Sequence, residues 1–174
     1  MSSIDLVILG MVSERPMSAY DIQKDVEYHH LSRWTKISTP SVYKKVLRLK
    51  EQGYLQSETV RGGKLADKAV YSLTAEGRDY FERLMASYAS QPVSFLFDFN
   101  VVITNLNKLE KPRALELVGR LRESITASAQ ENSGQAAEFS HIPLVGRTVF
   151  DQQQRLYQAL LEWLDGFERQ LREQ

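Results

Sequence analysis

Ile4 to Val12 (IDLVILGMV) is apolar on nearly every face and predicts a short helix buried in the middle of a small domain. Gly10 within it costs about 1 kcal/mol against Ala, which points to a close helix crossing. Arg15-Pro16-Met17 breaks the helix. Ser18 then offers an N-cap, and Asp21 three residues on favours a new helical N-terminus. Ala19, Ile22, Val26 and His29 or His30 mark one face of this second helix. Thr39-Pro40 starts a third, with Thr as cap and Pro at the first helical position, and Gly53 ends it. At about 100° per residue, Val42, Val46 and Leu49 cluster, flanked by Tyr43 and Leu47. Ser41, Lys44, Lys45, Arg48 and Gln52 lie on the opposite, solvent-facing side.

The period then changes. Tyr54 to Val60 alternates and is rich in strand formers, Arg61-Gly62-Gly63-Lys64 is a turn with two cations, and Lys68 to Leu73 reads as a returning strand. Thr74 caps a fourth helix with Phe81 and Leu84 inward and Arg78 and Arg83 outward. Helix, helix, helix, strand, basic loop, strand, helix is the order of a winged helix-turn-helix. The expected fold is therefore mainly α, with a winged helix-turn-helix (α/α/α/β/β/α) over residues 1–86.

Ser90-Gln91-Pro92 reads as a joint, and residues 87–174 read as an all-helical dimerisation domain. Val93 to Leu109 is more apolar than one solvent-facing helix should be, so a partner must cover it. Glu110 to about Gln130 is helical by pattern, whereas residues 131–146, with Pro143 and two glycines, read as a loop. From about Arg147 to Arg172, Val149, Gln153, Leu156, Leu160, Trp163, Phe167 and Gln170 or Leu171 recur in a heptad-like seam. Self-association through Phe95, Phe99, Leu156, Leu160, Trp163 and Phe167 is the favoured reading. The alternative is packing onto this chain's own helices.

Charge sharpens the picture. Among 174 residues, 22 Lys and Arg balance 22 Asp and Glu, which taken alone speaks against a polybasic DNA binder. By position the balance breaks: Leu31 to Lys68 holds nine basic residues against three acidic ones, a net of +6. The absence of cysteine excludes a disulfide scaffold, a cysteine nucleophile and an iron–sulfur site. With no stretch of spanning length and no basic leader before Ile4, the expectation is a soluble, cytoplasmic protein.

A helix about 10–12 Å across fits the DNA major groove. Ser38, Thr39 and Ser41 at its start suit phosphate oxygens, and Lys44, Lys45 and Arg48 can reach phosphates or guanine edges. Arg61 and Lys64 at the wing tip can follow the flanking backbone; Tyr43 and Lys68 complete the expected DNA-binding set. Three blocks then carry a family resemblance: ILGMVSERPMSAYDIQK, TPSVYKKVLRLKEQGYL and KAVYSLTAEGRDYFERL occur in the order seen at the opening, recognition helix and post-wing helix of PadR-type transcriptional regulators. The resemblance covers about residues 4–84. One departure is the wing, where Gly63-Lys64-Leu65-Ala66-Asp67-Lys68 is less basic than in many relatives. Longer members of the family dimerise through C-terminal helices. In some, aromatic residues line an effector cavity, which by resemblance implicates Phe95, Phe99 and Trp163 and a small aromatic effector.

The function expected is a homodimeric, sequence-specific regulator of transcription that binds double-stranded DNA at a palindromic operator. The alternative is a winged-helix protein–protein interaction module. His29 and His30 point to different sides of a helix, His141 is distant, and the carboxylates form no acid–base pair, so neither a metal site, a cofactor nor an enzyme is expected. Trp34 is expected between the second and third helices.

Overall fold

A computed structural model describes residues 2–31, 35, 41–60 and 67–173. Ser38, Thr39, Arg61 and Lys64, together with Trp34 and the Thr39-Pro40 start signal, lie outside the described residues. The chain divides into two compact units, Met1–Val93 and Ser94–Gln174.

The first unit runs α1 (Ser3–Glu14), β1 (Met17–Ser18), α2 (Ala19–Tyr28), α3 (Val42–Glu51), β2 (Leu55–Val60), β3 (Lys68–Leu73) and α4 (Ala75–Ala89). The apolar α1 is its centre: Ile4, Ile8, Leu9 and Val12 are buried, and α1 packs against α3, α4 and β3. A Cβ placed on Gly10 would meet the ring of Phe81 on α4 at 3.6 Å, an ordinary van der Waals distance. Ser18 caps α2 in a reciprocal box: its hydroxyl accepts from the Asp21 amide at 3.2 Å, and Asp21 Oδ2 accepts from the Ser18 amide and hydroxyl. Ala19, Ile22 and Val26 form the buried face of α2. Gly53, at φ +80°, lets the chain leave α3 in the left-handed region.

The sheet is antiparallel in the order β1–β3–β2. β2 and β3 pair from Leu55↔Leu73 to Val60↔Lys68. β1 is an element the sequence pattern does not announce. It is two residues long, follows Pro16, and pairs Met17↔Tyr71 and Ser18↔Val70. Thr74 caps α4 by accepting from the Gly77 amide. The expected boundary after residue 86 falls inside α4, whose last turn is held by Tyr88 against the core of the first unit.

The second unit contains α5 (Asn100–Ile103), a 3-10 turn at Leu106–Lys108, α6 (Lys111–Glu138) and α7 (Leu144–Glu173). Two expectations are corrected here. Residues 131–146 are not a loop: α6 continues to Glu138, only residues 139–143 connect, and α7 starts at Leu144. Gly134 is tolerated because tertiary contacts outweigh its propensity cost. The Asn132 amide donates to the Phe150 carbonyl and to Gln154, and Ser133 donates to Gln154. The apolar run from Val93 to Leu109 is not one helix either. Residues 92–97 carry no helix or strand, and Phe95, Phe97 and Phe99 stack through every second ring, the spacing of chain whose alternate side chains share a side.

The residues of the α7 seam divide between two environments. Leu160 and Phe167 pack inside this unit, with Tyr157, Leu161 and Leu171, on a core of Leu106, Ala114, Val118, Ile125 and Leu164. Leu164 is fully buried although the heptad reading skips it. α7 carries a wide apolar sector, and α6, tethered by a short connection, takes the central part of it. Leu156 is half-buried and Trp163 remains 41% exposed. Arg122 on α6 bridges to Asp165 and, at 2.7 Å, to Glu168 on α7. Among the described residues no helix is long and apolar enough to cross a membrane.

Candidate nucleic-acid interface

Val42, Val46 and Leu49 bury one stripe of α3 in the core of the first unit. That fixes which residues look outward. Tyr43, Lys44, Leu47, Arg48 and Lys50 are exposed, so the outer face combines cations with an aromatic ring. Ser41 sits at the N-cap, in αR backbone and without a side-chain capping bond.

Lys45 departs from the expected placement. Its side chain is only 23% exposed and its ammonium lies 3.1 Å from Asp5 Oδ1 on α1. It stands at the edge of the buried stripe instead of on the open face. The signal was in the sequence: Asp5 is the one charged residue in the apolar run of α1, and a buried carboxylate calls for a cation. The environment of Asp5 extends to α4. Burial raises the Tyr80 phenol above its usual range, the Asp5 carboxylate and the neighbouring Tyr54 phenol add to the shift, and Arg48 and Arg83 oppose it. Tyr80 stacks on Tyr54 with ring centroids 4.2 Å apart.

Lys68 at the start of β3 is exposed but engaged, 3.2 Å from Asp21 Oδ2. The Ser18 hydroxyl and, more weakly, the Lys68 ammonium hold the Asp21 carboxyl below the ordinary aspartate range against its partial burial. A cleft of about 370 Å³ brings Tyr20, Asp21, Tyr43 and Lys68 together, so α2, α3 and β3 share one surface. The second acidic partner, Asp21, was read from sequence only as a helix signal.

In the second unit the structure brings Phe95, Phe99 and Trp163 into one row. Phe95 stacks on Phe97, Phe97 on Phe99, Phe99 lies 6.2 Å from Trp163, and Trp163 stacks on Phe167. Phe97 and Phe167 are the members that sequence reasoning did not assign to this cluster of rings.

Comparison with solved structures places this architecture. Bacillus subtilis PadR in complex with operator DNA matches with a TM-score of 0.82 at 16% identity, over 97% of this chain and 99% of that one. The same protein in complex with p-coumaric acid matches with a TM-score of 0.80 at 16% identity, over 98% and 96%. The PadR-like regulator BC1756 from Bacillus cereus matches with a TM-score of 0.69 at 21% identity, over 98% of both chains. At such identities the likeness speaks for the fold: a winged helix followed by a helical C-terminal region. No curated protein sequence matches the chain. The transcriptional regulator PadR-like family model matches residues 8–83, which span α1 to α4 and the surface just described. Over that winged-helix region, the chain is similar to the PadR-like family of transcriptional regulators.

Proposed function

We propose that two copies of this chain read a palindromic operator, each placing the outward face of α3 in the major groove. The observation that carries this reading is the division of α3, with Val42, Val46 and Leu49 buried and Tyr43, Lys44 and Arg48 exposed on the other side. Arginine and lysine there can meet guanine edges or phosphates. Ser38, Thr39 and Ser41 would lie toward phosphates at the helix start, and Arg61, Lys64 and Lys68 would extend the contact along the flanking backbone.

Pairing is assigned to the second unit, where Phe95, Leu96, Val101, Val102 and Trp163 leave large apolar surface exposed. A two-fold dimer sets half-sites about one helical turn, or a multiple of it, apart, and tethering raises the effective concentration of the second contact. The row from Phe95 to Trp163 is the proposed site for a small aromatic effector. The structure of Bacillus subtilis PadR with p-coumaric acid makes aromatic acids the first ligands to test.

Selection of bound sequences from a random DNA pool, followed by gel shift with the selected site, tests the reading. A palindromic consensus and a 2:1 protein-to-DNA complex are expected. Lys44→Ala and Arg48→Ala should each cost about 1–3 kcal/mol where they read a base. Unchanged affinity in both would remove α3 as the reading face, and no enriched sequence would favour the interaction-module alternative. An aromatic acid bound at the proposed row should shift operator affinity and melting temperature, and Trp163→Ala should abolish the shift.

A further inference from the structure

We infer that Lys45 is a positioning residue rather than a DNA contact: its ion pair with Asp5 sets the roll of α3 about its axis and thereby which side chains face the DNA. The inference rests on the proposal that α3 enters the groove. α1 supplies a fixed reference, because Ile4, Ile8 and Leu9 around Asp5 are held in the core. Lys45 Nζ lies 3.1 Å from Asp5 Oδ1, with the two side chains 23% and 13% exposed. Among the described residues Oδ1 has no hydrogen-bond partner of acceptable geometry, so the Lys45 charge is what compensates it.

A buried pair of this kind cannot lend its cation cheaply. Moving Lys45 to a phosphate would strand the Asp5 carboxylate in an apolar setting, and removing one partner of such a pair is the costly change. Among the described residues, Lys44 and Arg48 make no ion pair with α1. They are four residues apart, hence on one helix face, and both are exposed. Apolar packing of Val42, Val46 and Leu49 holds α3 onto the core but is non-directional. The ion pair at the edge of that stripe adds direction. With side-chain tips about 6 Å from the axis, a roll of about 20° moves them by about 2 Å, well beyond the tolerance of a preorganised contact.

Operator binding by the full-length chain, measured by fluorescence anisotropy across a salt series, separates the two roles. A residue that neutralises a phosphate contributes about 0.9 to the slope of log affinity against log salt. Lys45→Gln and Asp5→Asn should each weaken binding about tenfold, as coupled residues do, with the slope unchanged. The double variant should be no weaker than either single one. Lys45→Arg, which keeps the pair, should stay within about twofold of wild type. Arg48→Gln should lower the slope.

Lysine-reactivity footprinting on the wild-type protein asks the same question without a substitution. Lys44 should become protected when the operator binds, while Lys45 should be slow to react in both states. A Lys45→Gln slope reduced by about one, an Asp5→Asn variant that binds like wild type, or a Lys45 that reacts freely until DNA is added would each overturn the inference. If Lys44 and Arg48 variants also bind with wild-type affinity and slope, the reading of α3 itself falls and takes this inference with it. If they lose slope and Lys45→Gln does too, only the positioning role is lost.

Discussion

Gly77→Ala is a small change with a large expected effect. Gly77 lies in the first turn of α4, where the helix start is pressed against the end of α3 and its exit turn. The Thr74 amide donates to the Tyr54 carbonyl at 3.2 Å, the Thr74 hydroxyl donates to the Gly53 carbonyl at 2.7 Å, and the Gly77 amide donates back to Thr74 Oγ1 at 2.9 Å. A Cβ at Gly77 would fall far inside the contact distance of the Tyr54 carbonyl oxygen and 2.9 Å from its carbon, with Leu73 at 3.1 Å. Both obstructing atoms of Tyr54 are backbone, so relief requires α4 to move off that turn. Overpacking costs about 1–3 kcal/mol, and a weakened hydrogen bond adds about 1. The gain in helix propensity returns about 1. The expected net is a loss of about 2 kcal/mol, or about 10 °C in the melting of a unit this size. Thermal unfolding followed by circular dichroism measures it. Gly134→Ala is the internal control: the same methyl group enters open space on α6 and should stabilise by up to about 1 kcal/mol. A Gly77→Ala protein as stable as wild type would refute the close-approach account.

Other expectations are independent of that one. Leu164→Ala empties a fully buried position in the second unit and should cost about 2–5 kcal/mol in urea unfolding. Ser18→Ala removes half of the α2 capping box and should cost about 1 kcal/mol. Hydrogen bonds from Arg122 and then Arg172 hold the Glu168 carboxyl below the ordinary glutamate range. Its stabilising contribution is therefore present above that range and is lost as pH falls through the lowered value. Arg122→Gln should cost about 1 kcal/mol or less near neutral pH, the pair being partly solvated, and should flatten the acid limb of stability against pH. Identical acid limbs in the two proteins would count against the bridge.

Local signals in the sequence carried most of the first unit. The Ser18 and Thr74 caps, the Gly53 exit and the buried stripe Val42–Val46–Leu49 are all short-range features, and the structure places each as its chemistry dictates. What was not legible depends on distant partners. β1 is too short to have a period of its own and exists only because Tyr71 and Val70 offer an edge. The last turns of α6 survive Gly134 because Asn132 and Ser133 find Gln154 and Phe150 on α7. The heptad on α7 was real as a pattern, but spacing cannot say which of two adjacent apolar stripes meets α6. For the proposed DNA surface, composition identified the cations, while the fold distinguished them by their partners: Lys45 by Asp5, Lys68 by Asp21, Lys44 and Arg48 by exposure.

The two-residue strand β1 has a bearing on how the chain acquires its structure in time. Its pairing joins Met17 to Tyr71, closing a loop that contains α2, α3 and β2. Long closures lose more chain entropy and slow folding, whereas contacts between near neighbours form quickly. The α6–α7 hairpin starts from contacts of the second kind, beside the short connection at residues 139–143, and can zip outward from there. Refolding is therefore expected to be biphasic, with the hairpin ordered first. The surface that carries Tyr43, Lys44 and Arg48 would mature only when β1 docks, so DNA-binding competence should lag behind the recovery of helix signal.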